Sequence, residues 1–306
     1  MSARLLFTHA ISPLHAGTGQ GVGAIDLPIA REKATGIPYL PGSSVKGTLR
    51  DLCKESKDKK EAVYGPETTN ADEFAGAAQF ADQRLLMLPI RSLSGTFAWV
   101  TSPYLLKRFL RDAKDSNAGV ATAKIAQLSV SSVDDKKAVV VKASSGSPEC
   151  ALKLKVENVN KVVLEDLDLE TTEEDWATNW AQFIGPAVFD ESEWQTMFSQ
   201  RFCVVSDNVL SFLLDTATEI TARIKLRDDG LKTVQKGGLW YEEALPTETI
   251  LYGFVLATPT AHHKKQNVDE SEIFRVIEDS IQPMVQLGGK ATVGRGLCRL
   301  QLEGAA

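Results

Sequence analysis

The sequence predicts an α+β fold, and three observations predict it. A strand pattern opens the chain and another closes it. Two helical patterns, at 43–57 and 270–284, each stand between extended apolar segments. The stretches rich in glycine, proline or charge fall in three blocks, 12–41, much of 114–200, and 221–243.

The elements follow in order. Residues 4–11 (RLLFTHAI) alternate loosely and read as a strand. In 12–41, glycines at 17, 19, 21 and 23 and prolines at 13, 28, 38 and 41 leave no room for a long regular element. An irregular run of that length inside a compact domain is functional or disordered. Pro41-Gly42-Ser43-Ser44 then opens a helix to about Lys57, with Ser43 or Ser44 as N-cap and Val45, Leu49, Leu52 and Cys53 on one face. Segments 77–88 and 93–100 read as paired strands, and Tyr104–Ala113 as a short basic helix. Strands are expected at 137–143 and 151–158, around a Ser144–Pro148 turn. Trp176–Phe198 reads as a helix broken near Gly185-Pro186. Segments 219–227 and 238–243 form a hairpin with a lysine-rich tip, Asp228–Gly237. Leu251–Thr258 is an apolar strand, Glu270–Met284 carries Ile273, Val276, Ile277 and Ile281 at helical spacing, and Leu297–Leu302 ends the sheet. With the three blocks treated as insertions into a single domain of residues 1–306, the order strand, helix, strand, strand, helix, strand is ferredoxin-like, or RNA-recognition-motif-like. The 221–243 hairpin protrudes from it as a thumb.

Composition narrows the function. Hydrophobic residues make up 43% and charged residues 24% of the chain, which fits a packed core rather than a disordered chain. Cys53, Cys150, Cys203 and Cys298 are too far apart for a CxxC pair or a zinc knuckle, and read as free buried thiols. His9, His15, His262 and His263 show no metal-ligand spacing. No stretch reaches the length of a membrane-spanning helix, and the first residues do not form a signal peptide, so no membrane partner and a cytoplasmic location are expected. The net charge of −6 is unevenly distributed. Residues 161–199 hold ten acids and one base, Lys161, whereas 42–60 hold six bases and three acids. Arg223, Lys225, Arg227, Lys232 and Lys236 cluster on the hairpin. The acidic region suits subunit contacts, and the basic ones suit phosphates.

Four motifs could carry chemistry. Leu14–Asp26 (LHAGTGQGVGAID) lets backbone approach another chain closely. It lacks the GxGxxG spacing and a Walker lysine, so it is either a nucleic-acid-facing loop or a surface loop with a solvated Asp26. In Tyr39–Arg50, Ser43 and Ser44 stand at a helix N-terminus, with Lys46 and Arg50 on one face, as a phosphate site would require. Ordinary capping plus a solvated basic face is the plainer reading. Gly288-Gly289-Lys290-Ala291-Thr292-Val293-Gly294-Arg295-Gly296 precedes a strand, not a helix. It is therefore a backbone-amide cradle supported by Lys290 and Arg295, or a hairpin that only closes the sheet. The basic hairpin, with Trp240-Tyr241-Glu242-Glu243 on its return strand, could wedge between nucleotides, or its aromatics could belong to the core.

Read together, LHAGTGQGVGAIDLPIAREKATGIPYLPGSSVKGTLR, GGLWYEEALP and GGKATVGRG resemble, in order and position, the repeat-associated mysterious protein (RAMP) superfamily of CRISPR proteins. Within it they are similar to the backbone subunits of type III-B effector complexes. The resemblance spans nearly the whole chain and is weakest between about 110 and 200.

The resemblance implies a hand-like protein with a ferredoxin-like palm and a thumb that reaches toward the next copy. Its partners would be a guide RNA, a target RNA, further copies of itself in a helical stack, a small helical subunit, a large polymerase-like subunit and other RAMP subunits. The thumb would displace one nucleotide of the guide–target duplex at intervals, beside the acidic loop. The position matching the family's cleavage residue is Asp26. An aspartate is a weak base near neutrality, with an ordinary pKa of about 3.9. Asp26 is therefore expected to hold a transient Mg²⁺ or Mn²⁺, with His15, Glu242 and Glu243 as possible support. Ser43, Ser44, Lys46, Arg50, Gly288, Gly289, Lys290 and Arg295 are the expected guide-binding set. Lys225, Arg227, Lys232, Lys236 and Trp240 are the expected thumb contacts. A scaffold that does not cut, and a nuclease that matures precursor guide RNA with His15 as base, are the alternatives.

Overall fold

Strand β1 (Ser2–Ala10) carries five apolar residues among its nine, and its last six residues, 5–10, are all buried. A strand covered on both faces reads this way. The computed structural model describes residues 2–18, 25–67, 74–115, 125–143, 148–227, 233–258 and 268–303.

After β1 come β2 (Tyr39–Leu40), α1 (Gly42–Leu52), α2 (Lys57–Tyr64), β3 (Ala78–Phe80), β4 (Gln83–Arg91), β5 (Phe97–Thr101) and α3 (Pro103–Asp115). The middle holds β6 (Lys137–Val141), β7 (Leu154–Val156), β8 (Val159–Leu164), β9 (Leu167–Glu174), α4 (Asp175–Val188), α5 (Ser192–Arg201), β10 (Phe202–Val204) and α6 (Asp207–Thr216). The last part holds β11 (Glu219–Leu226), β12 (Val234–Ala244), β13 (Ile250–Ala257), α7 (Glu270–Ser280), β14 (Val285–Gln286) and β15 (Leu297–Leu302).

The palm is the neighbouring set β15-β1-β13-β4, antiparallel throughout. Traced as β1, α1, β4, β13, α7, β15, the core is βαββαβ, and each crossover helix leaves one strand of the opposite direction between the strands it joins. The predicted ferredoxin-like palm is therefore present. Strand β4 continues past the palm: its second half pairs with β5, and the sheet runs on through β10, β6, β9, β8 and β7. Trp99 anchors this extension, with ring centroids 5.2 Å from Phe198 and 5.7 Å from Phe189. Its indole N–H donates to Glu248 O at 2.9 Å.

Several boundaries differ from the sequence expectation. The N-cap of α1 is Pro41, with no side-chain cap, and Ser43 and Ser44 lie inside the helix. The Gly42 amide is satisfied by Asp82 Oδ1 (2.9 Å), so a carboxylate 40 residues away does the capping. The helix ends at Leu52, and Ser56 caps the separate α2 by accepting from Lys59 N–H. Helix α4 passes through Gly185-Pro186 and stops at Val188. Near the C-terminus the proline removes a single interior bond, so the break comes later. The expected strand at 151–158 shrinks to Leu154–Val156, because Glu157 and Asn158, both at positive φ, turn the chain back so that β8 pairs with β7. Helix α7 ends at Ser280 rather than at Met284. Helix α6 was not anticipated. The four cysteines are buried and unpaired. No described helix is long and apolar enough to cross a membrane.

Candidate nucleic-acid interface

The first half of the site is a cleft of about 340 Å³ in which three segments distant in sequence meet. Ser43, Ser44, Gly47 and Thr48 face it from the first turns of α1, Ala16-Gly17 from the long loop, and Gly288-Gly289 from the turn before β15. The two glycine/serine turns that the sequence singles out therefore share one concave surface. Thr48, absent from the expected set, lies four residues after Ser44 and so on the same helix face. A Cβ added at Gly47 would meet nothing within 4 Å. Packing does not demand a glycine there, although one inside a helix costs roughly 0.5–1 kcal/mol relative to alanine. Its bare backbone instead leaves the cleft wall open.

The charged residues of the expected guide-binding set divide. Lys46 is half-buried on α1, and burial followed by the Arg50 charge lowers its pKa. Arg50 is engaged elsewhere: Nη1 donates to the carbonyls of Gly65 and Pro66, the latter at 2.9 Å, just past the end of α2. Arg295 is only 7% exposed and donates to Glu219 Oε1 (2.8 Å) and Thr221 Oγ1 (2.9 Å) at the root of the thumb. Arg295 thus departs from the expectation of an open phosphate-binding arginine, since both its Nη groups donate within the protein, whereas Arg50 commits Nη1 alone. Lys290, in the left-handed conformation at φ 67°, places Nζ 3.0 Å from Glu242 Oε1.

The second half is the thumb root. Glu242 is 4% exposed and has both oxygens occupied. Oε1 accepts from Trp240 Nε1 (2.8 Å) and pairs with Lys290, and Oε2 accepts from Arg223 Nε (3.2 Å). Burial alone would raise its pKa, but the bonds from Trp240, Lys290 and Arg223 outweigh it and hold the carboxyl at about 2. Glu243, 3% exposed, accepts from Ile29 N–H (3.0 Å) and from Arg31 Nη2 (2.7 Å). His15 is buried, and its Nδ1 lies 2.6 Å from the Glu243 carbonyl. A carbonyl only accepts, so Nδ1 carries the proton. The ring also packs against Gly17, where an added Cβ would lie 2.5 Å from Nε2. Glu242 and Glu243 are thus occupied by protein donors, and His15 is held through Nδ1. Asp26 is different. It is exposed, and among the described residues its one hydrogen bond is from Tyr241 N–H to Oδ2 (2.8 Å).

Among the described residues no three His, Cys, Asp or Glu side chains gather to hold a metal. Among the described donors near Asp26, Glu242 and Glu243 are already taken by protein groups and would not be free to join it around a resident metal.

Strands β11 and β12 form the thumb. In register, Ile224 faces Leu239, Leu226 faces Val234 and Ala222 faces Tyr241. These residues share one apolar, exposed face, while Arg223, Lys225 and Trp240 lie on the other. Trp240 is half-buried, Lys225, Arg227 and Lys236 are exposed, and Lys232 lies outside the described residues.

The sequence pattern of the RAMP superfamily matches residues 9–299. The chain belongs to the RAMP superfamily. This RAMP protein is 32% identical to the CRISPR system Cmr endoribonuclease Cmr4 of Pyrococcus furiosus over 307 residues, covering 99% of this chain and 96% of that protein. It is also similar to the crystal structure of oligomeric Cmr4 from Pyrococcus furiosus, with a TM-score of 0.73 at 28% identity, covering 99% of this chain and 98% of that one. A chain in the cryo-EM structure of the type III-B Cmr-beta complex bound to cognate target RNA matches with a TM-score of 0.72 at 25% identity, covering 99% and 97%. The RAMP assignment accounts for the βαββαβ palm, and the sequence resemblance had pointed to the same superfamily.

Proposed function

We propose that this chain is a guide-RNA-binding backbone subunit of a type III-B effector complex and that it cuts guide-matched target RNA beside Asp26. The observation that carries this reading is a contrast among the described acids beside the thumb: Glu242 and Glu243 are buried and occupied and Glu219 is paired with Arg295, whereas Asp26 is exposed and pairs with no cation. The family membership and the endoribonuclease relative support it.

The chemistry follows from the geometry. The cleft offers backbone and hydroxyl groups, which bind a phosphate chain without reading its bases, and sequence choice falls to base pairing. The thumb, with its half-buried Trp240 and exposed lysines, displaces a nucleotide of the guide–target duplex. RNA carries its own nucleophile, the 2′-hydroxyl. Attack on the adjacent phosphorus requires that oxygen in line with the leaving 5′-oxygen, which A-form stacking prevents and nucleotide displacement permits. Asp26 accepts the hydrogen bond of the 2′-hydroxyl and orients it. An Mg²⁺ or Mn²⁺ would have to arrive with the RNA, its shell filled by phosphate oxygens and water, because Asp26 supplies one ligand.

The test is a complex reconstituted with guide and cognate target RNA. Asp26→Asn is expected to retain both RNAs and to lose periodic target cleavage. Undiminished cutting would remove Asp26 from the reaction and leave a scaffold. Cleavage of a precursor guide by the purified chain in chelator would instead favour the maturation nuclease.

A further inference from the structure

The described residues 25–38, which carry Asp26, contain no helix and no named strand, so contacts from elsewhere must hold them. It runs beside the return strand of the thumb: Leu27 N–H donates to Tyr241 O (3.1 Å), and Glu243 N–H donates back to Leu27 O (3.0 Å). The Glu243 carboxylate then clamps the segment further along. Oε2 takes the Ile29 amide at 3.0 Å, and Oε1 takes the Arg31 guanidinium at 2.7 Å. Arg31 in turn donates to Leu214 O in the last turn of α6 (3.1 Å) and to Gly36 O (2.9 Å). Ile29 is also bridged to Gly17, beside the cleft. Three residues of extended chain, at most about 10 Å, separate Asp26 from the clamped Ile29.

We propose that Glu243 and Arg31 are positioning residues for Asp26: the buried carboxylate and its guanidinium fix the loop against the thumb and α6, so that the exposed carboxylate meets the target strand at one distance. This rests on the reading of Asp26 as the residue at the scissile phosphate. Glu243 itself cannot serve as proton acceptor, since both its oxygens are occupied and it is 3% exposed. Its value is geometric. A misplacement of about 1 Å remote from the chemistry can cost on the order of a hundredfold in rate. Asp26 itself is exposed, and among the described residues its carboxylate is held by one hydrogen bond, from Tyr241 N–H.

The experiment uses the assembled complex with guide and cognate target RNA, with single-turnover cleavage at saturating target measured beside target affinity. Glu243→Ala removes both contacts and is expected to slow cleavage about tenfold or more, with target affinity unchanged. Glu243→Gln keeps an acceptor for Ile29 and should recover most of the rate, and Arg31→Lys should fall between the two. The shape of the pH–rate profile should be the same in all three. A wild-type rate in Glu243→Ala overturns the proposal, as does a fall in target affinity that parallels the rate. A changed pH profile in Glu243→Gln also overturns it, since that would make Glu243 a proton-transfer group. If Glu243→Ala fails to assemble, the ordering of Glu243→Gln and Arg31→Lys below wild type decides. Asp26→Asn is run alongside. If it cuts normally, the underlying reading falls, whereas an inactive Asp26→Asn beside a fully active Glu243→Ala removes the positioning role alone.

Discussion

Palm and thumb are both antiparallel β-structure, yet they are held in different ways. In the palm, β13 buries seven of its eight residues and β1 buries its last six, so water is excluded from both faces. In the thumb, Ile220, Ile224, Leu226, Val234, Leu239 and Tyr241 are all exposed by 41–53%. An isolated two-stranded ribbon is marginal in water. This one is secured at its root by Glu242 with Arg223, Trp240 and Lys290, and by Arg295 with Glu219 and Thr221. A core fixed by burial tolerates few sequence changes but little motion either. A ribbon whose described side-chain anchors lie at its root can protrude into a ligand and still be aimed.

Substitutions can break or sharpen that contrast. Trp99→Ala should cost about 3–5 kcal/mol of global stability, because it empties the aromatic cluster that joins palm to extension. Chemical denaturation checks it, and a cost near zero would mean that the extension does not fold with the palm. Glu242→Gln should cost about 1.5–3 kcal/mol, confined to the thumb, as a carboxylate with three donors is lost. Hydrogen exchange should show faster β11–β12 amides with β1 and β13 unchanged.

The same carboxylate gives a pH dependence. Its folded pKa of about 2 lies below the ordinary value of 4.5. Its contribution is therefore fully present above about pH 4.5 and is lost as pH falls toward 2. Glu242→Gln should abolish that part of the acid sensitivity of the thumb amides. Gly47→Ala should act in opposite directions, raising stability by about 0.5–1 kcal/mol while weakening guide RNA retention. Stronger retention would mean that the cleft wall is not an RNA surface. Ile224→Ser should change the stability of the isolated chain by no more than about 0.5 kcal/mol, since the side chain is already in water.

Local signals carried much of the organisation. The alternation in 4–11, the apolar run 251–258 and the spacing of Ile273, Val276 and Ile277 located three of the palm elements. The two glycine/serine turns were visible as candidate phosphate-facing motifs, and they do share a cleft. Two failures have a common cause. The cap of α1 was assigned to the nearest serines when Asp82 supplies it, and Arg50 and Arg295 were left free for phosphates when carbonyls and Glu219 hold them. Each partner lies between 15 and 76 residues away, beyond any window of local pattern. The β8–β9 hairpin was missed because its charged residues hid the alternation of Val162, Leu164 and Leu169.

By itself the sequence determined where most strands and helices lie and where backbone can approach another chain, because periodicity and residue type are local properties; its family resemblance, not those properties, pointed to Asp26. Only the tertiary structure decided which charges stay open to a ligand. A charge is occupied or available according to what the fold brings within about 3 Å of it, and for Glu242, Glu243 and Arg295 those neighbours come from distant strands and loops.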